Sequence, residues 1–572
     1  MPIKPYGTRS GQTDTAADEF GSFWPNAPFD NFITQTQSFV ASFAAARPSV
    51  SPSPASSPAP LPAFDVFSVV SATAPAPAPA PVSKPAVTTT SVSTTSAVST
   101  PVSSLPSWLK TLSTASIAAD MAAADVNGTV SYSGLTKLFT DLDTLLTNTR
   151  TNLTAAEFND LKLIAANLNN GMSTSTYLSS IAQALVSGNA ANATWTGGGA
   201  NATALGNLAT GASATQLAEL IGKWFLGTDL PSSKVVLGNT SFSVSYSAST
   251  KPLFASSGPS MNDINQGYLG DCYLLASLAE VAKQDASAIT SMFTSNGNGT
   301  YGVRFYVNGT ARYVTVNSSL ANGGNIFNSG ADLWASLAEK GYAELQATGV
   351  VTGNSVNFGN SWTTIGNGGA PEMALEGITG ASAITDFRAS GGSWAKVVYN
   401  SSFGVTGYTT GNSTASVLST LVSDLALGDD LVLSSWTNAK DAAGKVTLVA
   451  SHAMSIYGYD AATGMLQVRN PWGTMNGQYW DTTFEVSLAT LLADGDTITV
   501  DNVGQGIKTS ATSQASGTTT ASLKSTADTN GLSAMASGFV QAIASLSDGA
   551  GACASFTPAG NVHQQTLASP LA

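Results

Sequence analysis

Cys272 is the side chain in this sequence best placed to attack a carbonyl. The stretch Asn265-Gln266-Gly267-Tyr268-Leu269-Gly270-Asp271-Cys272 sets one of only two cysteines where a glycine-rich turn runs into an apolar segment. Leu275, Leu278 and Val281 or Ala282 recur at helical spacing after it, which predicts a buried helix with the thiol at its first turn. Unpaired N–H groups and the positive end of the helix dipole favour the thiolate there, the form that attacks. Gly267 and Gly270 let the backbone turn tightly and approach a bound group. Gln266, six residues before the cysteine, offers a side-chain amide to a developing oxyanion.

A lone buried cysteine beside glycines is ordinarily inert packing, so the rest of the chain has to supply its partners. His452, one of only two histidines, lies in the run Val446 to Tyr459, which has strand-like composition. Val468-Arg469-Asn470-Pro471-Trp472-Gly473 follows. A cysteine before a helix, then a histidine in a strand, then an asparagine is the chain order of papain-type thiol proteases. The residues resemble the calpain family of cysteine proteases more closely still, in Gln266-Gly267, Gly270-Asp271-Cys272, the histidine strand and Asn470-Pro471-Trp472-Gly473. Leu333 to Ala343 and Ala374 to Gly380 resemble two further blocks of that family. The resemblance covers roughly residues 229 to 500.

This likeness implies a Cys272, His452, Asn470 triad that hydrolyses peptide bonds through a thioester acyl-enzyme. The thiolate would pair with protonated His452, which then gives its proton to the leaving amine. Asn470 would accept the other imidazole N–H, and Gln266 with the Cys272 N–H would form the oxyanion hole. Trp472 would shield the His452 and Asn470 contact, or gate the cleft as the matching tryptophan does in the family; a core tryptophan is the alternative. Asp271 is expected to fix the loop as a hydrogen-bond acceptor, and Glu339 and Glu376 to lie on solvated helix faces. Family members respond to calcium bound in acidic loops of both lobes. Asp263, nine residues before Cys272, matches one of those ligands, whereas Met261 replaces a basic neighbour and Asn317-Ser318-Ser319 replaces an acidic turn. The expectation is a protease with no required cofactor, its calcium dependence weakened or lost.

Composition bounds the partners. The chain has 572 residues, 10% of them charged, with 22 Lys+Arg against 35 Asp+Glu and a net charge of −13. Without a basic patch, neither nucleic acid nor an anionic membrane is an expected partner; protein or peptide substrates are. Two widely separated cysteines do not make a disulfide framework. No apolar stretch is long enough to span a bilayer, and Met1-Pro2-Ile3-Lys4-Pro5-Tyr6 lacks a charged-then-apolar signal pattern. The protein is therefore expected to be soluble and cytoplasmic by default, with signal-independent bacterial export as the alternative.

The elements that position these residues follow an α+β plan. Residues 1–106, rich in Pro, Ser, Thr and Ala, read as a disordered tail. Residues 107–228 read as a small helical module and a candidate inhibitory pro-region. In it Leu135, Leu138, Phe139, Leu142, Leu145 and Leu146 share one face, and Thr154 with Glu157 forms a capping box. Asp125-Val126-Asn127-Gly128-Thr129-Val130 is similar to the middle of an EF-hand loop, but Ala123 and Gly134 stand at its first and twelfth ligand positions. A helix-turn-helix without metal is the expectation. Residues 229–503 read as a two-lobed papain-like core, a helical lobe carrying the cysteine and a β-rich lobe carrying histidine and asparagine. Asn308-Gly309 marks a hairpin within it. Residues 504–572 form a second Ser/Thr/Ala-rich tail with one candidate helix over Leu532 to Leu546. A catalytically silent module that keeps the cleft for binding is the alternative function.

Overall fold

The computed structural model describes residues 105–322, 326–349 and 357–504; most of the N-terminal tail, the candidate helix near the C-terminus, Cys553 and His563 lie outside them. The helical module comprises α1 (Ala115–Ala124), α2 (Tyr132–Thr149), α3 (Ala155–Asn167), α4 (Thr176–Val186) and α5 (Ala214–Ile221). Leu135, Leu138, Phe139, Leu142 and Leu146 of α2 are buried as their spacing predicts, whereas Leu145 is 40% exposed, at the edge of the stripe. Both bonds of the Thr154 and Glu157 capping box form.

Between α1 and α2, Asp125-Val126 pairs with Thr129-Val130 across a turn in which Asn127 and Gly128 both take positive φ. At Gly134, a β-carbon would stand 2.7 Å from the Ala124 Cα, so the position that would need a long carboxylate has no room for any side chain. The module docks on a β hairpin of the next domain: the Tyr177 and Thr315 hydroxyls are 2.8 Å apart, and Thr315 Oγ1 donates to the Trp224 carbonyl.

The cysteine-bearing lobe contains α6 (Cys272–Gln284), β1 (Thr300–Val307), β2 (Thr310–Asn317), α7 (Trp334–Leu345) and α8 (Pro371–Thr379). Asn308 and Gly309 close the hairpin with positive φ at both residues, the geometry that matches the twist of paired strands. Every residue of α6 from Cys272 to Ala282 is buried, as expected for a helix apolar on all sides.

The second lobe is one fully antiparallel sheet of eight strands. These are β3 (Ala383–Ser390), β4 (Ser393–Asn400), β5 (Val405–Asn412), β6 (Leu431–Ser435), β7 (His452–Asp460), β8 (Met465–Arg469), β9 (Thr483–Val486) and β10 (Thr497–Asp501). Their order across the sheet is β5-β4-β3-β10-β6-β7-β8-β9. Val432 and Ala453 from β6 and β7 enter the same apolar cluster as α6, and Ser455 Oγ donates to the Ala276 carbonyl at 2.9 Å. The nucleophile helix is thus the wall shared by the two lobes. His452 is the first residue of β7, not an interior position of a strand begun at Val446; Ser451, with φ 57°, turns the chain into it.

Candidate active site

Cys272 begins α6 and is 6% exposed. Asp271 precedes it at the N-cap position, but its carboxylate makes no cap bond; the Asp271 carbonyl instead accepts from Leu274 and Leu275 N–H. The first N–H groups of the helix therefore remain for the sulfur and for a ligand. Cys272 Sγ accepts the Ala453 N–H at 3.4 Å, which sets it against the residue next to His452 from the other lobe.

His452 Nε2 lies 2.9 Å from Asn470 Oδ1. The same oxygen accepts the Trp472 backbone N–H at 3.0 Å. A backbone N–H only donates, so this contact fixes which end of the Asn470 amide faces the ring. Nε2 therefore carries the imidazole proton and Nδ1 is left as the base. The Trp472 ring covers the imidazole with centroids 5.0 Å apart and packs in turn on Trp480. Val449 joins these two tryptophans in a small apolar cluster of its own.

Burial dominates the charge state of this site. It pushes the Cys272 thiol up to about 12, although the N–H groups of Ala453, Tyr273 and Cys272 act in the opposite sense. It pushes His452 down to about 4, against the smaller opposite effect of the Asn470 bond. Both shifts favour a neutral thiol and a neutral imidazole at rest, whereas the sequence pattern implied thiolate and imidazolium. Helix-end electrostatics is legible in a sequence; desolvation by a tryptophan is not.

Gln266 is buried beside the nucleophile loop, and its Nε2 donates to the Leu269 carbonyl at 2.8 Å and to Asp271 Oδ1 at 3.3 Å. Two residues placed on solvated faces by the sequence are in fact buried: Glu339 is 1% exposed and Glu376 2%. Glu376 Oε1 accepts the Gly309 N–H and anchors the hairpin turn. Glu339 lies against Asp271, and that packing, invisible in helical spacing, buries it.

Asn265 and Arg469, neither singled out by sequence, join the two halves of the site. Arg469 Nη2 donates to the Ile264 carbonyl at 2.9 Å, Gln266 N–H to the Pro471 carbonyl at 2.8 Å, and Thr474 N–H to Asn265 Oδ1 at 3.1 Å. The loop ahead of the cysteine is thereby stitched to the loop that carries Asn470 and Trp472.

The side chains near Asp263 have partners within the chain. Asp263 Oδ2 is held by the Ser260 N–H at 2.8 Å and Trp334 Nε1 at 2.9 Å, and the Arg469 guanidinium lies near enough to act on it electrostatically. At the Asn317 turn, the buried Lys340 ammonium donates to Asn317 O, Asn317 Oδ1 and Ser319 O at 2.8 to 3.0 Å, so a cation of the chain already occupies those oxygens. Among the described residues no group of three His, Cys, Asp or Glu side chains is arranged to hold a metal ion.

A helix that opens on the cysteine, wedged between a helical lobe and an antiparallel sheet, with histidine on a sheet strand and asparagine on the loop after β8, defines a papain-like two-lobed thiol protease core. Residues 239–487 match the family model for calpain family cysteine proteases. It is 30% identical to Calpain clp-4 of Caenorhabditis elegans over 251 residues, 40% of this chain and 30% of that protein. It is 28% identical to Calpain-type cysteine protease ADL1 of Oryza sativa subsp. japonica over 262 residues, 42% of this chain and 10% of the relative. With Calpain-8 of Mus musculus the identity is 26% over 240 residues, 39% of this chain and 29% of the relative. The chain thus spans less than a third of the length of these relatives. No helix among the described residues is long and apolar enough to cross a membrane.

Proposed function

We propose that the protein is a cysteine endopeptidase that cleaves protein or peptide substrates through Cys272, His452 and Asn470. The observation that carries this reading is that residues far apart in the chain are brought together at one lobe boundary. Cys272 Sγ accepts the N–H of the residue after His452, and His452 in turn bonds Asn470. Since burial favours the neutral pair, the thiol proton passes to His452 Nδ1 as Sγ attacks the substrate carbonyl carbon. The oxyanion of the tetrahedral intermediate would be met by the Cys272 N–H and the Gln266 amide, donors of a kind each worth ~10²–10³ in rate. The imidazolium gives its proton to the leaving amine, the C–N bond breaks and a thioester remains. Water, deprotonated by His452, attacks that thioester and returns the thiol and a free carboxylic acid.

The reaction as proposed uses no metal ion. The helical module is proposed as a support for the β1/β2 hairpin, since its hydrogen bonds run to Thr315 and Thr300 of that hairpin.

The test is hydrolysis of an unfolded protein by the full chain and its Cys272→Ala variant, with labelling by a thiol-directed epoxide. Loss of both signals in a folded variant is expected; hydrolysis that survives the substitution removes the proposal. A second reading, a cleft kept for binding without turnover, draws on the burial of the thiol and imidazole. It predicts a folded wild type that binds unfolded peptide without cutting it.

A further inference from the structure

Behind the nucleophile loop lie two carboxyl groups that the reaction as described does not use. Asp271 is fully buried and Glu339 is 1% exposed, and the two carboxyl groups lie close enough to act directly on each other. None of the ion pairs among the described residues includes either one. Their other contacts are few. Asp271 Oδ1 accepts from Gln266 Nε2, and Glu339 Oε2 accepts the Asn328 N–H at 3.3 Å. Asp271 Oδ2 and Glu339 Oε1 have no donor among the described residues. Two facing carboxylates in a dry site repel each other, which favours one proton held between them and a single negative charge on the pair. Burial pushes Asp271 up to about 7 and Glu339 well above the ordinary range, in agreement with that contact.

The negative charge has one direct consequence for the reaction. A glutamine amide presents nitrogen and oxygen ends of nearly equal size, and only the nitrogen end can stabilise an oxyanion. Rotated by half a turn, the Gln266 amide would set its oxygen against both the Leu269 carbonyl and Asp271 Oδ1, two acceptors with nothing to donate. As built, Nε2 meets both. The bond to Leu269 is short and the one to Asp271 is longer, so the latter is the one that can yield when a stronger acceptor arrives.

We propose that Asp271 and Glu339 are positioning residues: their closely set carboxyls hold the Gln266 amide with its nitrogen at the N-terminus of the nucleophile helix, ready for the oxyanion. This rests on the protease reading. Asp271 is sequence-adjacent to Cys272 and its charge adds to the burial that pushes the thiol up; its positioning role is exerted on the amide, through the Gln266 bond. Glu339, projecting from α7, holds Asp271 in a rotamer that forgoes the helix cap.

The experiment compares hydrolysis with alkylation of Cys272 by iodoacetamide, which displaces iodide at a saturated carbon and needs no oxyanion donor. In the full chain, Glu339→Ala is expected to lower kcat on the order of tenfold, less than the ~10²–10³ expected for Gln266→Ala. The alkylation rate should not fall, since the charge of this pair can only raise the thiol. In a Gln266→Ala background the same substitution should cost nothing further, because both act on one group. Glu339→Gln, whose amide can still donate to Asp271, should keep wild-type turnover. An unchanged kcat in Glu339→Ala, an equal additional loss in the Gln266→Ala background, or a parallel loss of alkylation overturns the proposal. Should Glu339→Ala fail to fold, Asp271→Leu and Asp271→Asn decide in the same two assays: the first must lose hydrolysis alone, and the second, which still accepts from Gln266, must keep it. Absence of hydrolysis by the wild type ends the protease reading itself, an outcome distinct from any of these.

Discussion

Asn265 and Gly473 meet across the two lobes so closely that a β-carbon on residue 473 would stand 2.0 Å from Asn265 Oδ1. Gly473 also has φ 65°, a conformation that other residues rarely adopt. The contact exists because Asn265 Oδ1 reaches past Gly473 to accept the Thr474 N–H. Gly473→Ala is therefore expected to force the loops apart, with a loss of about 1–3 kcal/mol in stability and up to ~10²-fold in hydrolysis, the scale of a misplaced catalytic group. Thermal unfolding and steady-state kinetics check this, and adding Asn265→Gly should recover part of both losses. An alanine variant with wild-type melting and turnover contradicts the joint.

Trp472 lies over the imidazole and is expected to contribute to its burial. Burial holds His452 down to about 4 against an ordinary value of ~6.5. The neutral ring is the form that takes the thiol proton, so activity should persist as pH falls until the ring itself protonates. Trp472→Ala admits water and should move the acidic limb of kcat/KM upward toward ~6.5. A pH-rate profile of both proteins decides; a limb that does not move shows that another group governs it.

Much of this site was legible because its chemistry is carried by rare residues. With two histidines and two cysteines in the whole chain, the glycine turn and apolar run at Cys272 and the strand-like run around His452 singled out one of each, and Asn470 followed from the resemblance of its block. The Asn308-Gly309 hairpin and the Thr154 capping box are local motifs and appear where their residues stand. The β3 to β5 meander was harder to resolve strand by strand. Its turn at Gly391-Gly392 is clear in sequence, but β5 is the outermost strand, mostly exposed and free of charge, so it lacks the alternation that marks a half-buried strand. Glu339 and Arg469 were misjudged or passed over for a related reason. Each is charged and buried by a partner remote in sequence, Asp271 in one case and Ile264 in the other.

Buried acids give the fold a definite pH sense. Burial pushes Asp271, Asp496 and Asp501 up to about 7 and Glu372 to about 8. Each binds its proton more tightly folded than unfolded, so its contribution is full below ~4 and is lost as pH rises through its folded value. His452 acts oppositely: its depressed value means stability is lost as pH falls from ~6.5 to about 4. Lys340, which burial pushes down to about 8, also opposes the acids, its cost fading as pH rises past that value; four acids against these two groups predict a higher Tm near pH ~6 than near pH ~9. Calorimetry across that range checks it, and a Tm that climbs with pH contradicts it.

Calcium should leave hydrolysis unchanged, because the oxygens best placed to bind it already have donors. Asp263 Oδ2 serves the Ser260 N–H and the Trp334 indole, with a guanidinium close by, and Lys340 fills the Asn317 turn. A divalent ion would have to displace a buried ammonium or break two hydrogen bonds, each worth ~1 kcal/mol or more once left unpaired. The expected result is one turnover rate in chelator and in millimolar calcium. Asp263→Ala supplies the independent readout: losing both bonds should lower Tm equally with and without calcium. A saturable rise in rate with calcium, or a Tm that calcium raises in the wild type and not in Asp263→Ala, would place a working metal site at that loop.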